Sequence, residues 1–215
     1  PAAPARRRLA YDEMLANQLA LALVREKVKK QQGREIRGNG LLRKKILERL
    51  PFELTESQEK VLKEIFADHA SPYRMLRLLQ GDVGSGKTLV AAALVWYAWK
   101  NGYASAFMAP TEILANQHFE TLSGFLKPFG LRIGKLTGSM TAKQKREVKA
   151  ELAAGELDLI IGTHALFSED VEYKNLALVI TDEQHRFGVN QRSSLISKGE
   201  KPHVLVMSAT PIPRT

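Results

Sequence analysis

The chain has 215 residues, no cysteine and a formal net charge of +9, with 44% apolar residues. That length and composition suit one globular domain with a proper core, or one domain with an appendage. They exclude disulfides and thiolate chemistry, and no apolar run reaches the ~18 residues of a membrane span. The most apolar stretch, "LVAAALVWYAW", reads as a buried helix. The opening "PAAPARRRLA" lacks the apolar segment of a signal peptide, and the absence of cysteine fits a reducing interior. The chain starts on Pro1 and stops at "SATPIPRT", directly after an expected strand. Both ends read as cuts from a longer protein.

Residues 1–50 carry 13 of the 32 Lys and Arg but 5 of the 23 Asp and Glu, so nearly all the excess positive charge sits there. Met14, Leu21, Val24 and Val28, widened by Leu15, Leu19 and Leu23, predict a long helix over residues 6–30. The three glycines of "QQGREIRGNG" break it. "LLRKKILERL" reads as a second, short helix ended by Pro51. Residues 1–50 are therefore expected to form a basic helical appendage. Its charge fits either contact with an acidic polymer such as nucleic acid or a solvated helix face.

From residue 51 the pattern changes. "FELTESQEKVLKEIFADH" predicts a helix capped by Thr55, with Val61, Leu62, Ile65 and Phe66 on one face. Short apolar strands then follow at 75–80, 104–109, 131–136, 157–162, 176–181 and 203–208, with helices at 87–101, 111–127, 141–154 and 188–198. This alternation predicts an α/β domain over residues 51–215, a parallel sheet covered by helices on both faces. Ligands of such sheets bind at the carboxyl ends of the strands.

At the end of the first of these strands stands "GDVGSGKT", Gly81 to Thr88, a full G-x-x-x-x-G-K-[ST] match between strand and helix. Gly84 and Gly86 let the backbone curl so that N–H groups, including that of Ser85, point inward. Lys87 supplies a point charge for the β- and γ-phosphates, and the Thr88 hydroxyl suits Mg²⁺. The expected ligand is a nucleoside triphosphate. Such a loop needs an acid at the end of a neighbouring strand, and "LALVITDEQH" supplies Asp182 for the metal's water shell and Glu183 to activate the attacking water. Trp96 and Trp99 read as core packing. The five histidines lack paired spacing, which argues against a histidine metal site.

In order, "FELTESQ", "GDVGSGKT", "MAPTEILANQH", "LTGS", "IGTHAL", "DEQH" and "SATPIPRT" resemble the first RecA-like motor domain of superfamily 2 helicases and translocases. The combination with "DEQHRFGVNQR" and "MSATPIPRT" is similar to the RecG family of branch-migrating DNA helicases, and the N-terminal "ARRRLAYDEMLANQLAL" resembles that family's linker helix. Transcription-repair coupling translocases share several of these motifs, but typically show DEEH in place of "DEQH" and a phenylalanine in place of Ser85. A nucleotide-gated binding module without hydrolysis is a third reading.

The resemblance to RecG-type helicases implies ATP and Mg²⁺ as cofactors and branched or duplex DNA as partner. It further implies a second RecA-like domain and a wedge domain in the same full-length chain, and a bacterial cytoplasmic, nucleoid-associated setting. By motif, Gln58 and Phe52 correspond to adenine contacts, although "TESQ" is also a capping box from Thr55 to Gln58. Pro110 and Thr111, Thr137 and Gly138, and Thr163 and His164 correspond to the DNA-facing motifs. Ser208 and Thr210, with Gln184 and His185, correspond to the residues that relay nucleotide state. Arginine fingers come from the second motor domain in this family, and Arg186, Arg192 and Arg214 match none of their motifs. The chain by itself is thus expected to bind ATP weakly and to hydrolyse it very slowly.

Overall fold

The structure, a computed structural model, describes residues 33, 35–36, 53–182 and 202–209. Helix α1 (Glu56–His69) begins where Thr55 accepts a hydrogen bond from the Gln58 amide and the Gln58 side chain accepts from the Thr55 amide. This reciprocal cap satisfies two N–H groups that a helix start leaves open. Leu62, Ile65, Phe66 and His69 form its buried face. The chain then enters β1 (Leu76–Gln80), where Arg77 reaches back to Glu64 at 2.9 Å and to Asp68, fastening the strand to α1.

Helix α2 (Lys87–Lys100) is buried almost all round from Val90 to Ala98. It is followed by β2 (Ala104–Met108), α3 (Glu112–Leu126), β3 (Ile133–Leu136), α4 (Ala142–Ala154), β4 (Leu159–Gly162), β5 (Leu176–Asp182) and β6 (His203–Ser208). All six strands run parallel in the order β1-β6-β5-β2-β4-β3. Strands β2 and β4 are buried throughout, and β5 and β6 up to their last residues, so they read as unbroken apolar runs. The edge strands β1 and β3 alternate in exposure.

The predicted strands and the helices at 87–101, 111–127 and 141–154 therefore form as expected, with ends shifted by at most two residues. The predicted helices at 6–30, 41–50 and 188–198 lie outside the described residues. Trp96 is buried and packs on Phe129 with ring centroids 4.6 Å apart, as core packing requires. Trp99 is half-buried, with the Lys100 ammonium 4.0 Å above its ring.

Two long-range links close the fold. The Met75 amide donates to His203 Nδ1 at 3.0 Å, and the Val204 amide to the Met75 carbonyl at 2.8 Å, joining the entrances of β1 and β6. The second link involves "QQGREIRGNG", which is more than a helix breaker. Ile36 is fully buried in the core, its amide donates to the His69 carbonyl, and the Gly33 amide donates to that of Pro72. A Cβ on Gly33 would stand 2.5 Å from the Arg74 nitrogen. Gly33 and Ile36 are thus stitched into the core of the sheet domain.

Candidate nucleotide and nucleic-acid site

The carboxyl ends of the six strands divide into two halves. At the β1-β6-β5 half, Gly81 leaves β1 with its amide donating to the Ser208 carbonyl at 3.2 Å, so the phosphate loop starts tied to the end of β6. Ser85 donates to the Asp82 carbonyl at 3.1 Å and closes a turn. Gly84 and Gly86 adopt φ of +83° and +81°, a region that costs an L-residue about 1–2 kcal/mol. Helix α2 begins on Gly86 without a side-chain cap. Its first-turn N–H groups and the positive end of its dipole therefore face the loop, an arrangement that favours a phosphate. The Lys87 ammonium bridges the Gly81 and Asp82 carbonyls at 2.5 and 2.7 Å. Thr88 lies half-buried in the same turn.

Gln58 joins this loop directly. Its Nε2 donates to the Ser85 carbonyl at 3.0 Å while its Oε1 accepts from the Thr55 amide at 2.9 Å. The capping box read from the sequence is present, and the same amide also braces the phosphate loop. A Cβ on Gly86 would stand 2.2 Å from that Nε2. Glycine is needed there both for the backbone angle and for the passing amide.

Asp182 ends β5, level with Met207 of β6. Strand β6 alone separates β5 from β1, so Asp182 stands on the order of 10 Å from the phosphate-loop strand. Its Oδ2 lies 2.7 Å from Nε2 of His118 on α3, with both side chains 13% exposed. Ser208, half-buried, ends β6. Phe52, Glu183, Gln184, His185 and Thr210 lie outside the described residues.

The β2-β4-β3 half gathers the predicted nucleic-acid segments. Pro110 and Thr111 follow β2, Thr163 and His164 follow β4, and Thr137 and Gly138 follow β3. Thr111 caps α3 through its hydroxyl, which accepts from Leu114 at 3.3 Å. Glu112 Oε1 accepts from the Ser139 amide at 2.8 Å and so links the loop after β3 to the start of α3. The Ser139 hydroxyl and then its amide hold the Glu112 carboxyl below its ordinary pKa. Lys145 donates to the Gly138 carbonyl at 2.6 Å. Thr137 and Thr163 are buried, each 2% exposed, whereas Gly138, Ser139 and His164 are exposed. The two threonines thus shape the strand ends from beneath and do not present their side chains to solvent.

Three side chains here escaped the sequence reading. His118 lies inside the quoted "MAPTEILANQH", but its partner is 64 residues away. Glu112 and Lys145 organise the loop after β3 from two different helices. The available signal was helical register: His118 falls two turns after Thr111, which puts it near the same helix face.

A parallel α/β sheet with a G-x-x-x-x-G-K-[ST] loop at one edge, an acid two strands away and polar residues at the strand ends of its other half has a RecA-like fold. Residues 55–215 match the DEAD/DEAH box helicase family, and the chain belongs to that family. It is similar to the ATP-dependent DNA helicase RecG of Bacillus subtilis (strain 168), 51% identical over 212 residues covering 98% of this chain and 31% of that protein. RecG of Acidithiobacillus ferridurans is 52% identical over 215 residues, covering 100% of this chain and 31% of that protein. A structure of RecG bound to a three-way DNA junction superposes with TM-score 0.82 at 45% identity, over 98% of this chain and 28% of that one. The UvsW helicase of bacteriophage T4, at 18% identity and TM-score 0.57, covers 86% of this chain and 58% of that one and shares the fold. The chain spans just under a third of the length of the RecG relatives it matches. Among the described residues, no helix is long and apolar enough to cross a membrane.

Proposed function

We propose that this chain is the ATP-binding first motor domain of a RecG-type DNA translocase, which uses ATP hydrolysis to move on duplex DNA and to remodel stalled forks and Holliday junctions. The observation that carries this reading is the division of the sheet, with the phosphate loop and Asp182 on one half and Thr111, Gly138, Ser139 and His164 on the other. The high identity to RecG proteins along the whole chain supports the substrate class.

In this reading the loop from Gly81 to Thr88, Ser85 included, binds the triphosphate. Lys87 exchanges its loop carbonyls for phosphate oxygens, and Phe52 and Gln58 meet the adenine. The Thr88 hydroxyl and the Asp182 carboxylate form an oxygen donor set that fits Mg²⁺. The ion, when bound, neutralises phosphate charge. Glu183 takes a proton from the attacking water. Ser208 and Thr210, with Gln184 and His185, sense the γ-phosphate, and the Gly81–Ser208 hydrogen bond gives them a direct hold on the loop. Pro110, Thr111, Gly138 and His164 line a sequence-independent DNA track, and the buried Thr137 and Thr163 shape it from beneath. A second RecA-like domain and a wedge domain complete the machine, the former supplying arginine fingers worth ~10³–10⁵ in rate. Without them this chain binds ATP weakly and turns over very slowly.

The test uses a chain extended to the length of the RecG relatives. Lys87→Ala and Glu183→Gln should each lower DNA-dependent ATPase by roughly a hundredfold or more. If neither change lowers it, the assignment of the active site is wrong.

A further inference from the structure

The geometry points to His118 as a positioning residue for Asp182, one that fixes the acid through Oδ2 and leaves its other oxygen for a hydrated divalent cation beside the nucleotide. This inference rests on the proposed nucleotide site. Asp182 lies in β5, paired with Met207 of β6, and this pairing fixes its backbone but leaves its side-chain torsions free, so the sheet alone does not dictate where its carboxylate points. The 2.7 Å contact to His118 Nε2, between side chains 13% exposed, supplies the missing constraint. Water competes poorly for a contact that is so largely desolvated.

The histidine is itself held. Its ring packs against Phe107 with centroids 4.5 Å apart, and Phe107 is fully buried in β2, paired in register with Ile180 of β5. The donor is thus locked from behind by the same sheet that carries its acceptor. Among the described residues no other hydrogen bond reaches the Asp182 carboxylate, and no group of three or more His, Asp or Glu side chains forms a metal cluster of its own. His118 is accordingly an outer partner of the acid. Partners of this kind typically account for 10–100-fold in metal affinity. Because α3 begins at Thr111 and Glu112, the contact also ties the acid of one sheet half to the helix that organises the other.

The test measures binding of a fluorescent ATP analogue to this chain, in excess Mg²⁺ and in EDTA. His118→Phe keeps a ring against Phe107 and loses the donor. His118→Gln keeps a donor amide and loses the ring. The expected result is a roughly tenfold smaller Mg²⁺-dependent gain in affinity for His118→Phe, recovery of most of that gain in His118→Gln, and unchanged affinity in EDTA for both. An unchanged or larger gain in His118→Phe, or an equal loss in both variants, overturns the inference. Lys87→Ala separates the two readings. If it leaves binding intact in Mg²⁺ and in EDTA, the nucleotide site is misassigned and the role of His118 falls with it. If Lys87→Ala abolishes binding while His118→Phe changes nothing, the site stands and the positioning role does not.

Discussion

The phenolic hydroxyl of Tyr97, in the last turn of α2, donates to the carbonyl of Ile36 at 3.0 Å. Tyr97 is fully buried and packs on Phe66 with ring centroids 4.8 Å apart. The helix that starts at the phosphate loop is thereby bonded in its last turn to Ile36, a residue N-terminal to the sheet domain. Ile36→Ala should cost about 2–4 kcal/mol by cavity formation, and Tyr97→Phe about 1–3 kcal/mol by leaving a buried carbonyl unpaired. Denaturant unfolding of the purified chain measures both. Losses under about 0.5 kcal/mol would show that this link is not part of the core.

Gly86 faces two constraints, its φ of +81° and the Gln58 amide 2.2 Å from where a Cβ would stand. Gly86→Ala should therefore weaken nucleotide binding far more than Lys87→Arg does. Part of the loss should return in the double variant with Gln58→Ala, which removes the amide but not the backbone strain. A double-mutant cycle on ATP affinity reads this coupling. Strict additivity would mean that the Gln58–Ser85 brace is incidental.

The Glu112 carboxyl, held below its ordinary pKa by Ser139, predicts a pH dependence with a definite sign. A depressed folded-state pKa stabilises the folded loop fully above the unfolded value of ~4.3 and loses that stabilisation as pH falls through the folded pKa. The Ser139 amide should exchange slowly near neutral pH, after allowance for intrinsic exchange, and lose protection as acid protonates the carboxylate. Glu112→Gln should remove the pH dependence while keeping part of the tether. Hydrogen exchange followed by NMR distinguishes these outcomes, and a pH-independent Ser139 amide in the parent chain would contradict the link.

Much of this arrangement is legible in the sequence because its signals are local. A phosphate loop is eight consecutive residues, a capping box four, and a buried parallel strand an unbroken apolar run. Thr55–Gln58, Gly81–Thr88 and the six strands were expected, and they form. What the sequence hides is pairing at a distance. His118 becomes informative only beside Asp182, and Ile36 only beside Tyr97. The burial of Thr137 and Thr163 was hidden for a related reason: exposure at a strand end depends on neighbouring strands, and β3 and β4 shield each other there. At Gly162 an added Cβ would meet the Leu136 carbonyl at 2.1 Å, which shows how closely the two ends approach.

The strand order also sets a sequence of assembly. Strands β2, β3 and β4 come from one continuous stretch, residues 104–162. The phosphate-loop strand β1, by contrast, has β6 as its sheet neighbour, and the Met75–His203 bond at their entrance spans 128 residues. Contacts between such distant residues form slowly, because a long loop must close before any of them stabilises the chain. As the polypeptide leaves the ribosome, the β2-β4-β3 half of the sheet has all its strands well before β6 can slot between β5 and β1. A nascent chain halted short of residue 203 should therefore be unable to retain ATP. Within this sheet the proposed nucleotide end is the part completed last, and on that proposal a product truncated before β6 should not consume nucleotide.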